Sequence, residues 1–175
     1  KPGSPVEDGE AGDAVGGIGQ SGGPLSPASA DAPFPTASDE QSVRVVTVAF
    51  NPGEELDRFL ASLAAATMRR LTVVIADNGT EHDVVTAAAQ RYGARVVGDG
   101  TNLGYGAGAN LAAADLQEDW LVVANPDLIW RPGSLDVLID AGLANPAAGC
   151  LGPLLLNTDG TVYPSGRALP SLVKG

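Results

Sequence analysis

The chain has 175 residues, which suits one domain of ordinary size. It carries 21 acidic and 10 basic residues, a net charge of -11, so a nucleic-acid binder that neutralises phosphates is disfavoured. One cysteine and one histidine exclude an intramolecular disulfide, a cysteine-cluster metal site and a histidine-rich zinc centre. The sequence contains neither an apolar run of ~18–20 residues nor an apolar signal core, so we expect a soluble cytoplasmic protein.

Residues 1–41 differ in composition from the rest of the chain. They are rich in Gly, Pro, Ser and Ala, and they hold seven acidic residues against Lys1, which is -6 of the total charge. A segment with so few large apolar residues cannot bury enough surface to offset its chain entropy. We therefore predict a disordered tail over 1–41 and a folded domain over 42–175.

The folded part alternates between β-branched apolar runs and segments with helical spacing of apolar residues. Pro52 is expected in the first turn of the first helix, and Gly93 at the end of the second. This alternation predicts an α/β fold, a mostly parallel sheet with helices on both faces. Strands are predicted at 43–50, 71–76, 94–97 and 120–124, and helices at 54–67, 81–92, 109–116 and 135–143.

Polar residues follow three of the predicted strands: Asn51, Asp77 and Asp127. Each residue type is also common in turns. Ligands of parallel α/β sheets bind at the carboxyl ends of the strands. Because packing gives no reason for polar groups to recur at one edge, the three together predict a binding site.

The first motif is Asp77-Asn78-Gly79-Thr80. A carboxylate just past a strand end can accept a hydrogen bond from a sugar or a base, such as the N3–H of a pyrimidine. Gly79 permits a tight turn. The same residues also suit an ordinary turn, so this motif alone is weak.

The second motif is the stretch 102–110, most of which lies in a predicted glycine-rich loop at 98–108. Glycines at a helix start expose backbone N–H groups to an anion. Gly104, Gly106 and Ala109 also match a dinucleotide-binding fingerprint. That alternative is disfavoured, since six residues separate Val97 from Gly104 and the fingerprint normally follows the first strand.

The third motif is Asn125-Pro126-Asp127. Pro126 ends the strand and keeps Asn125 extended, which holds Asp127 at the sheet edge. One carboxylate with substrate phosphates can hold Mg²⁺. The alternative is a turn or helix-capping role for Asp127.

Other polar residues are expected to be structural. His82 is interpreted as a solvated residue at a helix start, and Cys150 as a small core residue. The pair Asp159-Gly160 predicts a hairpin turn. Arg167 fits either a phosphate contact or a surface ion pair.

The three motifs, in this order and spacing, resemble family 2 glycosyltransferases of the GT-A fold. Ser165, Gly166 and Arg167 near the end are similar to the rhamnosyltransferase branch, in particular to actinobacterial cell-wall linker enzymes acting on polyprenyl-diphosphate-N-acetylglucosamine. The resemblance covers about residues 43–172.

The resemblance implies roles for individual residues. Asp77 would contact the pyrimidine, and Asp127 would bridge Mg²⁺ or Mn²⁺ to the diphosphate. Asn125 stands where the family commonly has the first acid of its metal motif, which leaves one firm carboxylate. The implied nucleotide-sugar contacts are Phe50, Asn51, Asp77, Asn102, Gly104, Asn110 and Asn125.

The resemblance also implies an activity. A sugar, rhamnose from dTDP-rhamnose or another from a UDP-sugar, would pass by metal-assisted inverting transfer to a lipid-linked or saccharide acceptor. Such an acceptor implies peripheral contact at the inner face of the plasma membrane. The family's general base lies in a later segment, so no catalytic base is assigned and the domain is expected to be truncated before its acceptor half. A dinucleotide-binding or non-catalytic nucleotide-binding domain is the alternative.

Overall fold

The computed structural model describes residues 41–166, where four strands and four helices alternate. Residues 1–40 of the tail predicted over 1–41, and Arg167, lie outside the described residues. None of the helices in the described range has the length and apolar character needed to cross a bilayer. The strands are β1 (Val43–Ala49), β2 (Leu71–Asp77), β3 (Arg95–Val97) and β4 (Trp120–Val123), and the helices are α1 (Glu55–Leu63), α2 (His82–Tyr92), α3 (Tyr105–Ala113) and α4 (Ser134–Ala144).

The strands form one sheet in the order β3-β2-β1-β4, and every pair is parallel. In the central pair, Val43 lies beside Leu71 and Ala49 beside Asp77. All four strands therefore end at the same edge, which we call the carboxyl edge. The prediction of a parallel α/β sheet is confirmed.

Helices cover both faces of this sheet, as predicted. Successive side chains of a strand point to opposite faces. On one face Val45 of β1 packs with Phe59 of α1 and Leu135 of α4 in the larger apolar cluster. On the other face Val46 packs with Ala109 of α3 in a smaller one.

The first helix is shorter than its periodicity predicts. Pro52 lies before α1, and its carbonyl accepts the N–H of Glu55 at 3.1 Å, so its predicted place in the first turn is wrong. At the other end the carbonyls of Ala65 and Ala66 accept N–H groups from Gly133 and Leu135. After Leu63 the chain instead turns through the tighter bonds from Ala65 N–H to Ser62 and from Ala66 N–H to Leu63, which end the α-helix.

The third helix begins earlier than predicted. Gly106 and Gly108 lie inside α3 rather than in the loop. A Cβ on Gly108 would lie 3.1 Å from Nδ2 of Asn78 and 3.2 Å from Val48. Close packing on β1 thus outweighs the poor helix propensity of glycine.

The segment after α4 contains the predicted hairpin. Leu156 and Val162 form an antiparallel bridge, and Gly160 has φ +83° in the turn. Gly93 also ends α2 in the left-handed conformation, as predicted. The prediction for Cys150 is wrong, because this residue is exposed.

Candidate functional site

Asp77 is the last residue of β2 and is 5% exposed. One carboxylate oxygen, Oδ1, accepts the backbone N–H of Gly79 at 3.2 Å. The other, Oδ2, lies 2.6 Å from Nδ1 of His82. The carboxylate is therefore held from both sides at the carboxyl edge.

His82 begins α2, as expected, but it is more than a solvated residue. Half of its side chain is exposed, and its Nδ1 contacts the Asp77 carboxylate. The hydrogen bond to Asp77 and the charge of that carboxylate raise the pKa of the imidazole above 6.5. The place of His82 at the start of α2 was predictable from sequence, whereas its pairing with Asp77, five residues earlier, was not.

Asn51 fastens the loop after β1 to the loop after β2. Its side-chain oxygen accepts the N–H of Thr80 at 2.7 Å and that of Glu81 at 3.3 Å. Its own backbone is left-handed, with φ 48°. A Cβ on Gly79 would lie 2.5 Å from that oxygen, so only glycine fits beside it. We call the hydrogen bonds from Thr80 and Glu81 to the side-chain oxygen of Asn51 the Asn51 clasp.

Asn78 connects the end of β2 to the glycine-rich loop. It is 3% exposed, and its Nδ2 donates to the carbonyl oxygen of Gly104 at 3.1 Å. Gly104 precedes α3 with φ +78°, and a Cβ there would meet nothing within 4 Å. The start of α3 thus opens to the carboxyl edge with its first backbone N–H groups directed outward.

The remaining predicted contacts lie in the loops that follow β1, β3 and β4, except Asn110, which lies inside α3. Phe50 is 59% exposed immediately after β1. Asn102 is exposed and accepts the N–H of Gly104 at 2.9 Å, so it shapes the loop. Asn110 is exposed on α3, and Asn125 is exposed two residues after β4.

Asp127 is exposed in the loop after β4. Burial of Tyr105 and, to a smaller degree, the charge of Asp127 raise the pKa of the Tyr105 hydroxyl. Within residues 41–166 no group of three or more His, Cys, Asp or Glu could hold a metal ion. A single accessible carboxylate still fits Mg²⁺, since this ion usually takes one or two carboxylates with substrate phosphates and water.

The two predicted carboxylates lie along one edge of the sheet. Strands β2 and β4 lie on either side of β1, so the two strands are about 10 Å apart across the sheet. Tyr105 at the start of α3 lines one cleft with Asn125, which lies two residues before Asp127, while Asn78 beside Asp77 donates to the carbonyl oxygen of Gly104. The glycine-rich loop therefore joins the two positions.

Sequence reasoning missed two glycines that support Asp77. The N–H of Gly100 donates to the backbone carbonyl of Asp77 at 3.1 Å. A Cβ on Gly98 would lie 2.8 Å from that same carbonyl. Both have positive φ, and their only sequence signal is membership of the glycine-rich loop.

The dinucleotide alternative finds no support in the loop geometry. β3 ends at Val97 and α3 begins at Tyr105. A dinucleotide fingerprint needs a tight turn directly between strand and helix. The intervening residues here instead pack against Asp77 and His82.

A cleft of about 500 Å³ begins beside the carboxyl edge and follows β4. Tyr105 and Asn125 line the end of the cleft beside the carboxyl edge. Trp130, Cys150 and Leu151 line it further along β4. Trp130 also packs against Phe59, with ring centroids 6.4 Å apart. Its indole is therefore part of the core cluster.

Comparison with known proteins assigns these motifs to one group. The sequence profile described as "Glycosyl transferase family 2" matches residues 44–167. Two curated relatives, from the CDC 1551 / Oshkosh and H37Rv strains of Mycobacterium tuberculosis, are each 48% identical over 143 residues. Both are named N-acetylglucosaminyl-diphospho-decaprenol L-rhamnosyltransferase. The match covers 75% of this chain and 47% of each relative, so the chain spans about half the length of these proteins.

Proposed function

The chain belongs to glycosyl transferase family 2, and we propose that it binds the nucleotide-sugar donor at the carboxyl edge for transfer of the sugar to an acceptor hydroxyl. The relatives are named for rhamnosyl transfer to a decaprenol-linked N-acetylglucosaminyl diphosphate. By extension we propose dTDP-rhamnose or a UDP-sugar as donor and a lipid-linked glycan as acceptor. A lipid-linked acceptor implies that the protein acts in the cytoplasm, at the inner face of the plasma membrane.

The observation that carries this proposal is the orientation of Asp77. Its carboxylate is buried, yet it stands at the strand end and is fixed by Gly79 and His82. Each carboxylate oxygen has two acceptor sites, so capacity remains for the N3–H of a pyrimidine. Phe50, exposed beside Asn51, offers an apolar face for the nucleoside.

The phosphate end of the donor would lie toward α3 and β4. The open start of α3 at Gly104 offers backbone N–H groups and the positive end of the helix dipole. Asn102 and Asn110 flank this position on the same loop and helix. Together they suit the ribose and the diphosphate.

Asp127, with Asn125 beside it, is the residue that fits Mg²⁺ or Mn²⁺. When bound there, the ion supplies positive charge to a leaving diphosphate. The chain contributes an exposed carboxylate in the loop after β4, directly after Pro126. No described residue is assigned as the general base, because a base has to lie within hydrogen-bond reach of the acceptor.

Calorimetric titration of the 175-residue chain with dTDP, UDP and NAD, with and without Mg²⁺, tests the proposal. We expect a pyrimidine diphosphate to bind, and Mg²⁺ to tighten binding about tenfold, since a metal-assisted contact is worth ~1.4 kcal/mol or more. Asp127→Asn should remove the Mg²⁺ effect. Glu55→Gln, the same change of charge at an exposed position of α1, should preserve it. Binding of NAD in preference to both pyrimidine nucleotides would contradict the proposal.

A further inference from the structure

His82 is the one histidine of the sequence, and its side chain contacts Asp77, the residue predicted to contact the pyrimidine base. Its Nδ1 is 2.6 Å from Oδ2 of Asp77. The side chain of Asp77 is 7% exposed and that of His82 is 51% exposed. A buried carboxylate thus has a solvent-accessible imidazole as its immediate partner.

The carboxylate of Asp77 has little freedom to rotate. Gly79 donates to Oδ1 and the imidazole contacts Oδ2, so both oxygens are fixed at once. Loss of either contact would let the carboxylate turn about its last side-chain bond. The acceptor site that faces a nucleotide base therefore depends on His82 for its direction.

The imidazole is itself held from the opposite side by the glycine-rich loop. A Cβ on Gly100 would collide with Cε1 of His82 and lie 2.8 Å from Nε2 and 2.5 Å from the carbonyl oxygen of Gly79. The N–H of Gly100 donates to the backbone carbonyl of Asp77. The ring is thus enclosed between the end of β2 and this loop.

Within residues 41–166 the charged groups that act most strongly on the ring are acidic: Asp77 from β2, Asp83 from α2 and Asp99 from the loop before α3. The carboxylate of Glu81 instead accepts the N–H of Gly53 at 3.2 Å. Asp77 contributes most to raising the pKa of His82, and partial burial opposes it. This environment favours the imidazolium.

We propose that His82 is a positioning residue that fixes Asp77 for pyrimidine recognition, and that its imidazolium form binds a pyrimidine nucleoside diphosphate more tightly than its neutral form. This inference rests on the proposed function. The imidazolium always presents a hydrogen at Nδ1 to the carboxylate, whereas the neutral ring also has a tautomer that does not. It also offsets the charge of Asp77, in a chain of net charge -11, where an anionic diphosphate has to bind.

The test is dTDP binding by calorimetry between pH 5.5 and 8.5 for the wild-type chain, His82→Asn and His82→Phe. Asn keeps an N–H near the position of Nδ1 without a charge, and Phe removes the donor. Wild-type affinity should fall about tenfold as pH rises through the pKa of His82, which corresponds to a coupling of about one pKa unit. Because dTDP itself ionises in this range, the measured quantity is the ratio between wild type and His82→Asn.

The ratio should approach unity at pH 8.5 and grow toward pH 5.5, while His82→Phe should bind weakly throughout. In a chain purified without a histidine tag, the C2–H signal of the single imidazole reports its titration directly by NMR. Bound dTDP should raise that pKa further, since linkage is reciprocal. Asp77→Asn should return it toward 6.5.

Two outcomes overturn the inference, and they differ in what they leave standing. If the wild type binds dTDP with the same pH profile as His82→Asn, the role of His82 is refuted and the proposed donor site stands. If the wild type binds no pyrimidine nucleotide at any pH, both fall. An imidazole pKa that dTDP leaves unchanged also counts against the coupling.

Discussion

The two ends of the carboxyl edge are built differently. Around Asp77, at the end of β2, the contacts are made by the chain itself: the Asn51 clasp, the imidazole of His82 and glycines with no room for a side chain. Around Asp127, beyond β4, the loop is exposed. The first end is preorganised before any ligand arrives, and the second has an accessible carboxylate that gains its partners from the ligand. Substitutions should therefore cost stability at the first end and binding at the second.

The largest expected effect on stability comes from Gly100→Ala. Its φ is +84° and its Cβ would collide with His82, so strain and overpacking together should lower the free energy of unfolding by about 3 kcal/mol. Urea denaturation followed by circular dichroism measures it.

Gly160→Ala is the matched control for that substitution. Gly160 has φ +83°, yet a Cβ there would meet nothing within 4 Å. Gly160→Ala should lower the free energy of unfolding only by the cost of a left-handed backbone at a non-glycine residue, about 1 kcal/mol. Equal losses at both positions would show that the packing around His82 contributes nothing.

An intermediate effect is expected from pH, with opposite signs for His82 and for the acidic residues at the edge where the strands begin. At the edge where the strands begin, the N–H of Ser42 lowers the pKa of Asp119, and Arg95 followed by Arg44 lowers that of Asp115. Their folded pKa values lie below the unfolded ones, so the stability they add is present above about pH 4 and is lost as pH falls. Their contribution sets the acid limb of the stability profile.

At the carboxyl edge His82 has the opposite sign. Its pKa is raised in the folded chain, so its stabilising contribution is complete below pH 6.5 and is lost as pH rises through the folded pKa. Urea unfolding from pH 3 to 9 should therefore show losses on both sides of a maximum. Asp119→Asn should flatten only the acid limb and His82→Asn only the alkaline limb. A His82→Asn profile that declines above neutrality as the wild type does would refute this assignment.

The smallest expected effect on stability is that of Asp127→Asn. The side chain is exposed at the open end of the edge, so the free energy of unfolding should change by less than about 0.5 kcal/mol. The same denaturation assay measures it, with Glu55→Gln as the control. A loss above 1 kcal/mol would mean that the second end is as preorganised as the first.

The architecture was accessible from sequence because it depends on local periodicity. The β-branched runs around Val45 and Val73 and the polar residues that follow them were sufficient to predict the parallel sheet and the edge where Asp77 and Asp127 lie. The start of α3 could not be predicted from sequence. Gly106 and Gly108 are helical only because Gly108 packs on Asn78 and Val48. Such packing joins residues about thirty to sixty positions apart, which no local pattern encodes.

Individual contacts at the site were harder still to predict. The clasp between Asn51 and Thr80 and the pair between Asp77 and His82 require the relative placement of two loops and a helix. Sequence indicated the type of each residue and its edge, but not its partner. The roles of the candidate residues toward a nucleotide sugar stay predictions.

The Asn51 clasp has a consequence for how this scaffold can diversify. Because the loops after β1 and β2 share one side-chain oxygen, a replacement in either loop disturbs the other. A new base preference would need coordinated replacements across both, which makes that trait slow to evolve. No hydrogen bond within residues 41–166 ties the loop after β4 to these two loops, so variation should accumulate first at its exposed positions, away from Leu128 and Trp130 in the core.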